Sequence, residues 1–311
     1  MNARVLAIVG PTASGKSALA VRVAQGLTPG AEIVSTDSMQ VYRGMDIGTA
    51  TPPLPERGGV PHHLFDEWEP AHAVTVAECQ EHARAAIDRI AARGSVPVVV
   101  GGSGLYVSAV LDDLRFPGTD PEVRSALEDD LALLGPEAMH ARLAGVDPVA
   151  AEAIRASNGR RIVRALEVIA MTGGPFIARL PTPVAVYPAL RIGLRIPREV
   201  LDARIAERVD GMWQSGFVDE VRRLAEAGLA QTPTASKALG YQQVLSFLAG
   251  EITEDDARQL TIDATRRFAP GVAWGFPRQL GTWLLGGVAD LVALGYLLAV
   301  AGAVGLVLFA R

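Results

Sequence analysis

Eight residues near the N-terminus form the clearest chemical pattern in the chain. Residues 10–17 read GPTASGKS and fit the phosphate-binding pattern G-x-x-x-x-G-K-[ST] at every fixed position. Gly10 and Gly15 let the backbone turn so that successive N–H groups face an anion, and the following helix adds its positive N-terminal end. Lys16 can reach phosphate oxygens, and the Ser17 hydroxyl is placed to ligate Mg²⁺. The pattern predicts a bound phosphate ester, commonly a nucleoside triphosphate and less commonly a bare diphosphate.

A carboxylate follows the second predicted strand. Residues 5–9 are typical of a buried parallel strand, residues 17–26 of a helix crossing back over the sheet, and residues 31–35 of the next strand. Asp37 comes directly after that strand, at the carboxyl edge where ligands of open α/β sheets collect. Its position alone leaves three roles open, namely an N-cap for the next turn, a Mg²⁺ ligand or a general base, and favours the cap.

A third strand ends in a glycine-rich segment. Residues 74–93 have helical spacing, and residues 96–100 form a β-branched run that reads as the strongest strand in the sequence. Gly101, Gly102 and Gly104 follow it, and a glycine-rich exit from a buried strand lets a ligand or another backbone approach closely. Ser103 can donate a hydrogen bond there, although an ordinary flexible turn explains the same residues equally well.

The composition excludes several classes of protein. The chain has 311 residues and a formal net charge of −5, which argues against a uniformly basic nucleic-acid binder but allows a local basic surface. Cys79 is the one cysteine, so neither an intramolecular disulfide nor a cysteine-based zinc site can form. His62 and His63 are adjacent and would point to opposite faces of a strand, so they are not expected to share a metal. Without a signal-peptide pattern at the start, a cytoplasmic location is predicted.

Strand signals disappear between residues 115 and 188, where an all-helical insertion is predicted. Arg160 and Arg164 lie four residues apart on one helix face, with Arg161 beside them. Such a cluster is typical of a solvated helix face, and it equally suits contact with a phosphate backbone. The predicted organisation is an α/β core over residues 1–114 and 189–269, the insertion over 115–188, and a tail over 270–311.

The tail is largely apolar. Residues 291–310 contain no charged side chain, and this run is as long as the ~20 residues that a bilayer-spanning helix needs. A helix in a soluble core is the alternative, but it would be apolar on every face. Membrane contact through residues 284–310 is therefore one expectation for this tail.

Seven motifs, taken together and in order, resemble the tRNA dimethylallyltransferases, also called tRNA isopentenyltransferases. They are GPTASGKS at 10–17, STDSMQVYRGMDIGTA at 35–50, PHHLFDEWEP at 61–70, VVVGGSGLY at 98–106, DPEVR at 120–124, GRRIVRALEV at 159–168 and KALGYQQ at 237–243. The resemblance extends from Arg4 to about Ala269. It implies an α/β fold with a P-loop NTPase-like parallel sheet flanked by helices, and a helical insertion domain that contacts tRNA.

The resemblance also implies an activity, the transfer of a dimethylallyl group from dimethylallyl diphosphate to N6 of the adenosine 3′-adjacent to the anticodon. In this family the phosphate loop holds the diphosphate leaving group, and Mg²⁺ is inferred on Ser17. The residues expected at the diphosphate are Gly10, Thr12, Ala13, Ser14, Gly15, Lys16, Ser17 and Arg208. The catalytic residues would be Asp37 as general base, with Lys16 and Ser103. The residues expected at the tRNA are Asp37, Ser38, Met39, Gln40, Ser103, Arg124, Arg160, Arg161, Arg164, Lys237, Gly240 and Tyr241.

Two other functions compete with this one. A small-molecule or nucleoside kinase would use the same loop on ATP, and a membrane-tethered nucleotide-binding module would use it without catalysis. A monomer is expected. Members of the family continue with a basic, Trp-containing run where Pro270 begins the apolar tail. We therefore expect weaker tRNA binding with the diphosphate site intact.

Overall fold

The structure is a computed structural model that describes residues 3–176, 184–271 and 306–310. The chain divides into two compact units, Met1–Asp112 with Ala185–Arg311, and Asp113–Val184. The second unit ends before the predicted boundary at residue 188. The reason is a hydrogen bond of 2.9 Å from the Val186 N–H to the Leu111 carbonyl, which joins residues 185–188 to the first unit.

Strands and helices largely alternate in the first unit up to residue 214, as expected of an α/β fold, and further helices follow. In chain order the described helices are α1 Lys16–Gly26, α2 Val76–Ala92, α3 Gly104–Leu111, α4 Pro121–Val146, α5 Pro148–Ala153, α6 Gly159–Thr172, α7 Arg198–Gln214, α8 Phe217–Glu226, α9 Tyr241–Leu248 and α10 Glu254–Gly271. The strands are β1 Val5–Val9, β2 Ala31–Ser35, β3 His62–His63, β4 Val96–Gly101, β5 Ala189–Leu194 and β6 Leu306–Ala310.

The sheet has the order β3-β2-β4-β1-β5-β6, and its first five strands run parallel. In the central strand, Ile8 pairs with Val100 on one side and with Ile192 on the other. Every residue of β1 and β2 is buried, and the continuous apolar run of β1 predicts this for a strand covered on both faces. The predicted P-loop NTPase-like fold, a parallel sheet flanked by helices, is confirmed.

Alternation along β1 creates two cores, one on each face of the sheet. Ala7 and Val9 pack in a cluster with the apolar side of α2, whereas Leu6 and Ile8 pack in another cluster with α1. The N-terminus of α2 is fixed by a capping box between Thr75 and Glu78. Together the helices hold the sheet rigidly from both sides, so its carboxyl edge is a firm support for loops.

Three loops leave the sheet at that edge. They follow β1, β2 and β4, which are neighbours in the sheet, and two backbone hydrogen bonds join their first residues. The Gly10 N–H donates to the Gly101 carbonyl over 3.3 Å, and the Thr36 N–H donates to the Val100 carbonyl over 2.8 Å. The phosphate-binding pattern, Asp37 and the glycine-rich exit with Ser103 are therefore brought to one place.

The second unit consists of α4, α5 and α6 in its described part, in agreement with the predicted all-helical insertion. Helix α4 is interrupted at Gly135, whose φ is +79°, directly before Pro136. Its core is built from apolar side chains of all three helices. Leu127, Met139, Leu143, Ala150, Ile162 and Leu166 belong to it.

The predicted membrane-compatible segment over residues 284–310 falls mostly outside the described residues. Its last part, Leu306–Ala310, is described, and it forms the strand β6 antiparallel to β5 instead of part of a helix. Among the residues that the structure describes, no helix is long and apolar enough to cross a membrane.

Candidate active site

The loop between β1 and α1 has the backbone of a phosphate-binding loop. Ala13 and Gly15 have positive φ angles of 59° and 84°, and these two turns let the chain wrap around an anion before α1 begins at Lys16. A Cβ on Gly10 would lie 2.6 Å from the Ser14 Oγ and 3.0 Å from the Leu194 Cβ, so this position accepts only glycine without rearrangement. Within the described chain, the buried Ser14 hydroxyl has no hydrogen-bond partner.

Lys16 is half-buried beside the exit of β4. A Cβ on Gly102 would lie 3.7 Å from the Lys16 Nζ, so the amine lies directly against this glycine. Burial lowers the pKa of Lys16 to about 8, and the nearby Arg208 acts in the same direction, whereas the Asp37 carboxylate partly opposes the shift. A bound anion raises the pKa of such an amine again, because it stabilises the charged form. Anion binding and protonation of Lys16 therefore favour each other.

Arg208 reaches the same loop from α7. Its Nη1 donates a hydrogen bond of 2.9 Å to the Thr12 Oγ1. Burial lowers the pKa of this guanidinium, and the attraction of Asp37 and Glu56 only partly compensates. Two desolvated cations thus share the Asp37 carboxylate, and this excess of positive charge suits a phosphate ester, whose oxygens accept charge-assisted hydrogen bonds.

Asp37 is held in a tight turn after β2. Its N–H donates to the Ser35 Oγ over 3.2 Å, and its Oδ1 accepts from the Met39 N–H over 3.0 Å. This local bond is the capping role that the sequence favours. Among the described residues, no hydrogen bond reaches Oδ2, so one carboxylate oxygen can accept a hydrogen bond from a substrate.

One pocket collects these groups. It holds about 480 Å³ of space between atoms, part of it open solvent, and its walls combine two cations, several hydroxyl groups and one carboxylate with apolar side chains. The lining residues are Thr12, Lys16, Ser17, Ala20, Ile33, Ser35, Asp37, Gln40, Thr49, Pro52, His62, Phe65, Val100 and Arg208. Such a lining suits a small ligand that has both an anionic group and an apolar group.

Other predicted residues lie around the same edge. Ser103 is half-buried at the N-cap position of α3, and its side chain makes no capping hydrogen bond. Gln40 is buried, and its amide is engaged inside the protein, because it accepts from the Ser35 Oγ over 2.9 Å and donates to the carbonyls of Thr49 and Ala50 over 3.3 Å. Ser38 and Met39 lie half-buried in the turn between Asp37 and Gln40.

The expected RNA contact of Tyr241 needs correction. Tyr241 is fully buried, its phenol donates a hydrogen bond of 2.6 Å to the Glu220 Oε1, and burial raises its pKa. Gly240 is also buried and serves as the N-cap of α9. Both residues therefore belong to the internal support of the fold, whereas Lys237 is exposed and available for RNA contact.

The four arginines predicted at the tRNA lie in the second unit and fall into two pairs. Arg160 and Arg161 are exposed near the start of α6. Arg124 and Arg164 instead bind the fully buried carboxylate of Glu167, with N–O distances of 2.9 and 2.7 Å. Burial opposes the charge of Glu167, but the hydrogen bonds from these two arginines hold its pKa below the usual value. Arg124 and Arg164 thus have a structural role that the sequence did not reveal.

Several site residues were not predicted. Thr49, His62 and Phe65 line the pocket although the motifs containing them gave no sign of it, since their positions depend on loop folding. His63 points away from the pocket and binds Glu32, with 2.7 Å between its Nε2 and the Glu32 Oε2. Glu220 is buried, binds the backbone of residues 46–48 and lies outside all seven motifs. No signal in the sequence marks Glu220, because these backbone partners are about 170 residues away.

Among the described residues, this site has no set of side chains that would coordinate a metal ion without other ligands. In the described part of the chain, no three His, Cys, Asp or Glu side chains converge on one point. The oxygen groups that line this pocket include the Asp37 carboxylate and the Ser17 hydroxyl at the start of α1. Such a sparse oxygen set suits Mg²⁺, which keeps several waters and takes its other ligands from substrate phosphates.

The fold and this pocket define a phosphate-ester-binding α/β protein. Comparison with known families is more specific, because the model described as "IPP transferase" matches residues 40–270 and the model described as "Isopentenyl transferase" matches residues 3–65. The chain belongs to the IPP transferase family, the tRNA dimethylallyltransferases, as its motifs predict.

Individual relatives agree with this assignment. The tRNA dimethylallyltransferase of Streptomyces avermitilis is 58% identical over 292 residues, covering 94% of this chain and 93% of the relative. That of Thermobifida fusca is 59% identical over 292 residues, covering 93% and 92%. Among solved structures, the tRNA isopentenylpyrophosphate transferase of Bacillus halodurans is 36% identical with a TM-score of 0.66, covering 97% and 96%. A eukaryotic dimethylallyltransferase acting on tRNA is 25% identical with a TM-score of 0.74, covering 87% and 69%.

Proposed function

We propose that this protein transfers a dimethylallyl group from dimethylallyl diphosphate to N6 of the adenosine 3′-adjacent to the anticodon of tRNAs. The observation that supports this best is one pocket in which Lys16 and Arg208, the latter reaching the phosphate loop from α7, lie beside the carboxylate of Asp37. The cations suit the diphosphate, and the carboxylate suits an amine that must lose a proton. The names of the relatives, which describe tRNA dimethylallyltransferases, support the same reaction.

The reaction is a displacement at an allylic carbon. The N6 lone pair forms a bond to C1 of the dimethylallyl group, the C–O bond breaks, and its electron pair leaves with the diphosphate. Lys16, Arg208 and the N–H groups of the phosphate loop stabilise the charge that develops on this leaving group. An adenine N6 is a weak nucleophile because its lone pair is delocalised into the ring. Asp37 accepts the N6 proton as the new bond forms and so compensates for this weakness.

The residues present fit a bound Mg²⁺ ion. Ser17 follows Lys16 at the start of α1 and lines the same pocket, so its hydroxyl would hold the ion next to the diphosphate. A bound ion supplies further neutralisation of the leaving group. The chain's own residues perform the remaining tasks, since Lys16 and Arg208 orient the diphosphate and Asp37 takes the proton.

The RNA substrate makes this chemistry accessible. Modification of a base requires that the base leave its stack, and an anticodon loop is already single-stranded. In this proposal the loop would be bound by exposed basic residues such as Arg160, Arg161 and Lys237 and by the turn around Ser38. The protein would act in the cytoplasm as a monomer.

Incubation with unmodified tRNA and labelled dimethylallyl diphosphate tests the proposal directly. We expect label to enter the tRNA with the wild-type protein, and we expect Asp37→Ala to retain donor binding but to lose at least about 100-fold in turnover. A parallel reaction with labelled ATP separates the proposal from a kinase. Phosphoryl transfer from ATP without any prenyl transfer would reject the proposed function, and full activity of Asp37→Ala would reject the general base.

A further inference from the structure

A buried carboxylate outside the pocket holds the loop that follows Asp37. Glu220 lies on α8 and is almost completely buried. Its Oε2 accepts hydrogen bonds from the N–H groups of Asp46 and Ile47 over 3.1 and 2.8 Å, and its Oε1 accepts from the N–H of Gly48 over 3.2 Å. The Tyr241 phenol adds a fourth bond of 2.6 Å to Oε1. A buried carboxylate with four donors is strongly fixed, and so is the backbone that it binds.

The loop fixed in this way is compact. The Ala50 N–H donates to the Ile47 carbonyl over 3.0 Å, and the Thr51 N–H donates to the Asp46 carbonyl over 2.9 Å. These bonds tie residues 46–51 to one another, so the segment that Glu220 binds at residues 46–48 also carries the carbonyls of Thr49 and Ala50.

Those two carbonyls continue the connection toward the pocket. Both accept hydrogen bonds of 3.3 Å from the Gln40 Nε2. The Gln40 Oε1 accepts from the Ser35 Oγ over 2.9 Å, and the same Ser35 oxygen accepts from the Asp37 N–H over 3.2 Å. A continuous set of hydrogen bonds thus runs from Glu220 to the backbone of Asp37. Apart from Asp46, which is exposed, every member is buried or half-buried, so water competes poorly for most of these bonds.

We propose that Glu220 is a positioning residue for the transfer reaction, which acts by fixing residues 46–50 and, through Gln40 and Ser35, the carboxylate of Asp37. This inference rests on the proposed function, since it concerns the group that accepts the N6 proton. Glu220 touches neither the phosphate loop nor its cations in any described contact, so donor binding does not depend on it. A shift of about 1 Å in a reacting group is sufficient to lower a rate about 100-fold.

Two variants test the proposal in the full-length protein. Glu220→Gln keeps one acceptor oxygen but turns an NH₂ group toward backbone donors, and Tyr241→Phe removes one donor while its ring still packs against Phe217. We expect kcat with saturating tRNA to fall about 10- to 100-fold in Glu220→Gln and several-fold in Tyr241→Phe. The dissociation constant of dimethylallyl diphosphate, measured by calorimetry, should stay within about twofold of the wild-type value.

A double variant separates positioning from general loss of structure. If Glu220 acts through Gln40, the variant with both Glu220→Gln and Gln40→Ala should be no slower than the slower single variant. Multiplied rate losses in the double variant would overturn the proposal.

Glu32→Gln is the matched control. Glu32 is also a nearly buried carboxylate of the first unit, bound to Arg93 over 2.8 Å, but it lies near the other end of β2. We expect this control to lower the melting temperature while leaving kcat within about twofold. An equal loss of kcat in Glu32→Gln, or unchanged kcat in Glu220→Gln, would overturn the positioning role. If Glu220→Gln fails to fold, the Tyr241→Phe variant tests the proposal in its place. An unchanged kcat in Tyr241→Phe would then overturn the positioning role of Glu220. A wild-type protein without prenyl transfer would instead reject the proposed function together with this inference.

Discussion

At the scale of single residues, the site is built from charges that the fold does not neutralise. Lys16 and Arg208 are both desolvated, and burial lowers the pKa of each, although Asp37 lies close enough to oppose the shift. Holding two cations near one carboxylate costs stability in the free protein. The cost is recovered when a diphosphate binds, because its oxygens provide the missing negative charge. The charge state of Lys16 should therefore control donor affinity.

Donor binding should weaken at alkaline pH. Because the pKa of Lys16 is lowered to about 8, its amine is charged below that pH and loses its charge above it. We expect the affinity for dimethylallyl diphosphate to fall about twofold from pH 7 to pH 8, where half of the amine is neutral, and by up to about tenfold per pH unit above pH 8. Calorimetric titrations up to about pH 9.5 measure this. Lys16→Arg should remove the dependence, since guanidinium stays charged throughout, and a flat wild-type curve would contradict the assignment.

At the scale of elements, the loop over residues 46–51 depends on helices that lie far away in the chain. Residues 46–48 bind Glu220 of α8, and Gly48 lies against the rings of Phe217 and Tyr241. The three strands that carry the site loops were predictable, because each is a local apolar run with a turn signal after it. The contact between residues 46–48 and α8 was not predictable, because hydrogen bonds between residues about 170 positions apart leave no local pattern in the sequence. The same reason explains why Tyr241 was expected at the RNA but lies in the core.

Gly48→Ala should be strongly destabilising. A Cβ at this position would lie 2.2 Å from the Phe217 ring and 2.5 Å from the Tyr241 ring, and neither ring is free to move in the core. We expect a loss of about 1–3 kcal/mol in the free energy of unfolding, measured by urea denaturation. Gly211→Ala is the control, because α7 leaves open space there, and it should gain up to about 1 kcal/mol. Equal stability of the two variants would show that the loop does not pack as described.

Glu167 should stabilise the second unit in a pH-dependent way. Its carboxylate is buried between Arg124 and Arg164, and Glu167→Ala removes the shared partner of both arginines. We expect a loss of about 2–3 kcal/mol, at the low end for a buried ion pair because both guanidinium groups are partly exposed. Since the pKa of Glu167 is lowered, this stability is present above its ordinary value of 4.5 and is lost as the pH falls below it.

Hydrogen exchange of amides in α4 and α6 reports on this unit alone, which matters because a chain of two units need not unfold in one step. Protection in the variant and in the wild-type protein should converge as the pH falls below about 4. Asp130→Ala breaks the exposed pair with Arg142 and should cost less than about 1 kcal/mol. A Glu167→Ala protein with wild-type protection at neutral pH would show that the buried carboxylate is not needed.

At the scale of the whole molecule, a net charge of −5 must be reconciled with an RNA substrate. The family and the reaction were predictable from seven ordered motifs, whereas the distribution of charge was not, because it depends on which arginines the fold leaves exposed. Arg124 and Arg164 are held against the buried carboxylate of Glu167, and Arg160 and Arg161 are exposed on the same unit. Phosphate contacts of the second unit should therefore come from Arg160 and Arg161.

Replacing Arg160 and Arg161 should weaken tRNA binding without changing the donor site. Each phosphate contact that is lost should lower the slope of log affinity against log salt by about 0.7–0.9, so the double alanine variant should bind tRNA with a slope smaller by about 1.5. The dissociation constant of dimethylallyl diphosphate should not change, because its ligands belong to the first unit. Arg89→Ala removes an exposed arginine of α2 and is the control for a general change of charge. If the control and the double variant lose the same slope per arginine, tRNA binding is a property of the overall charge and not of α6. A loss confined to the double variant would place the RNA contact on the second unit, and it would separate RNA binding from donor binding within one chain.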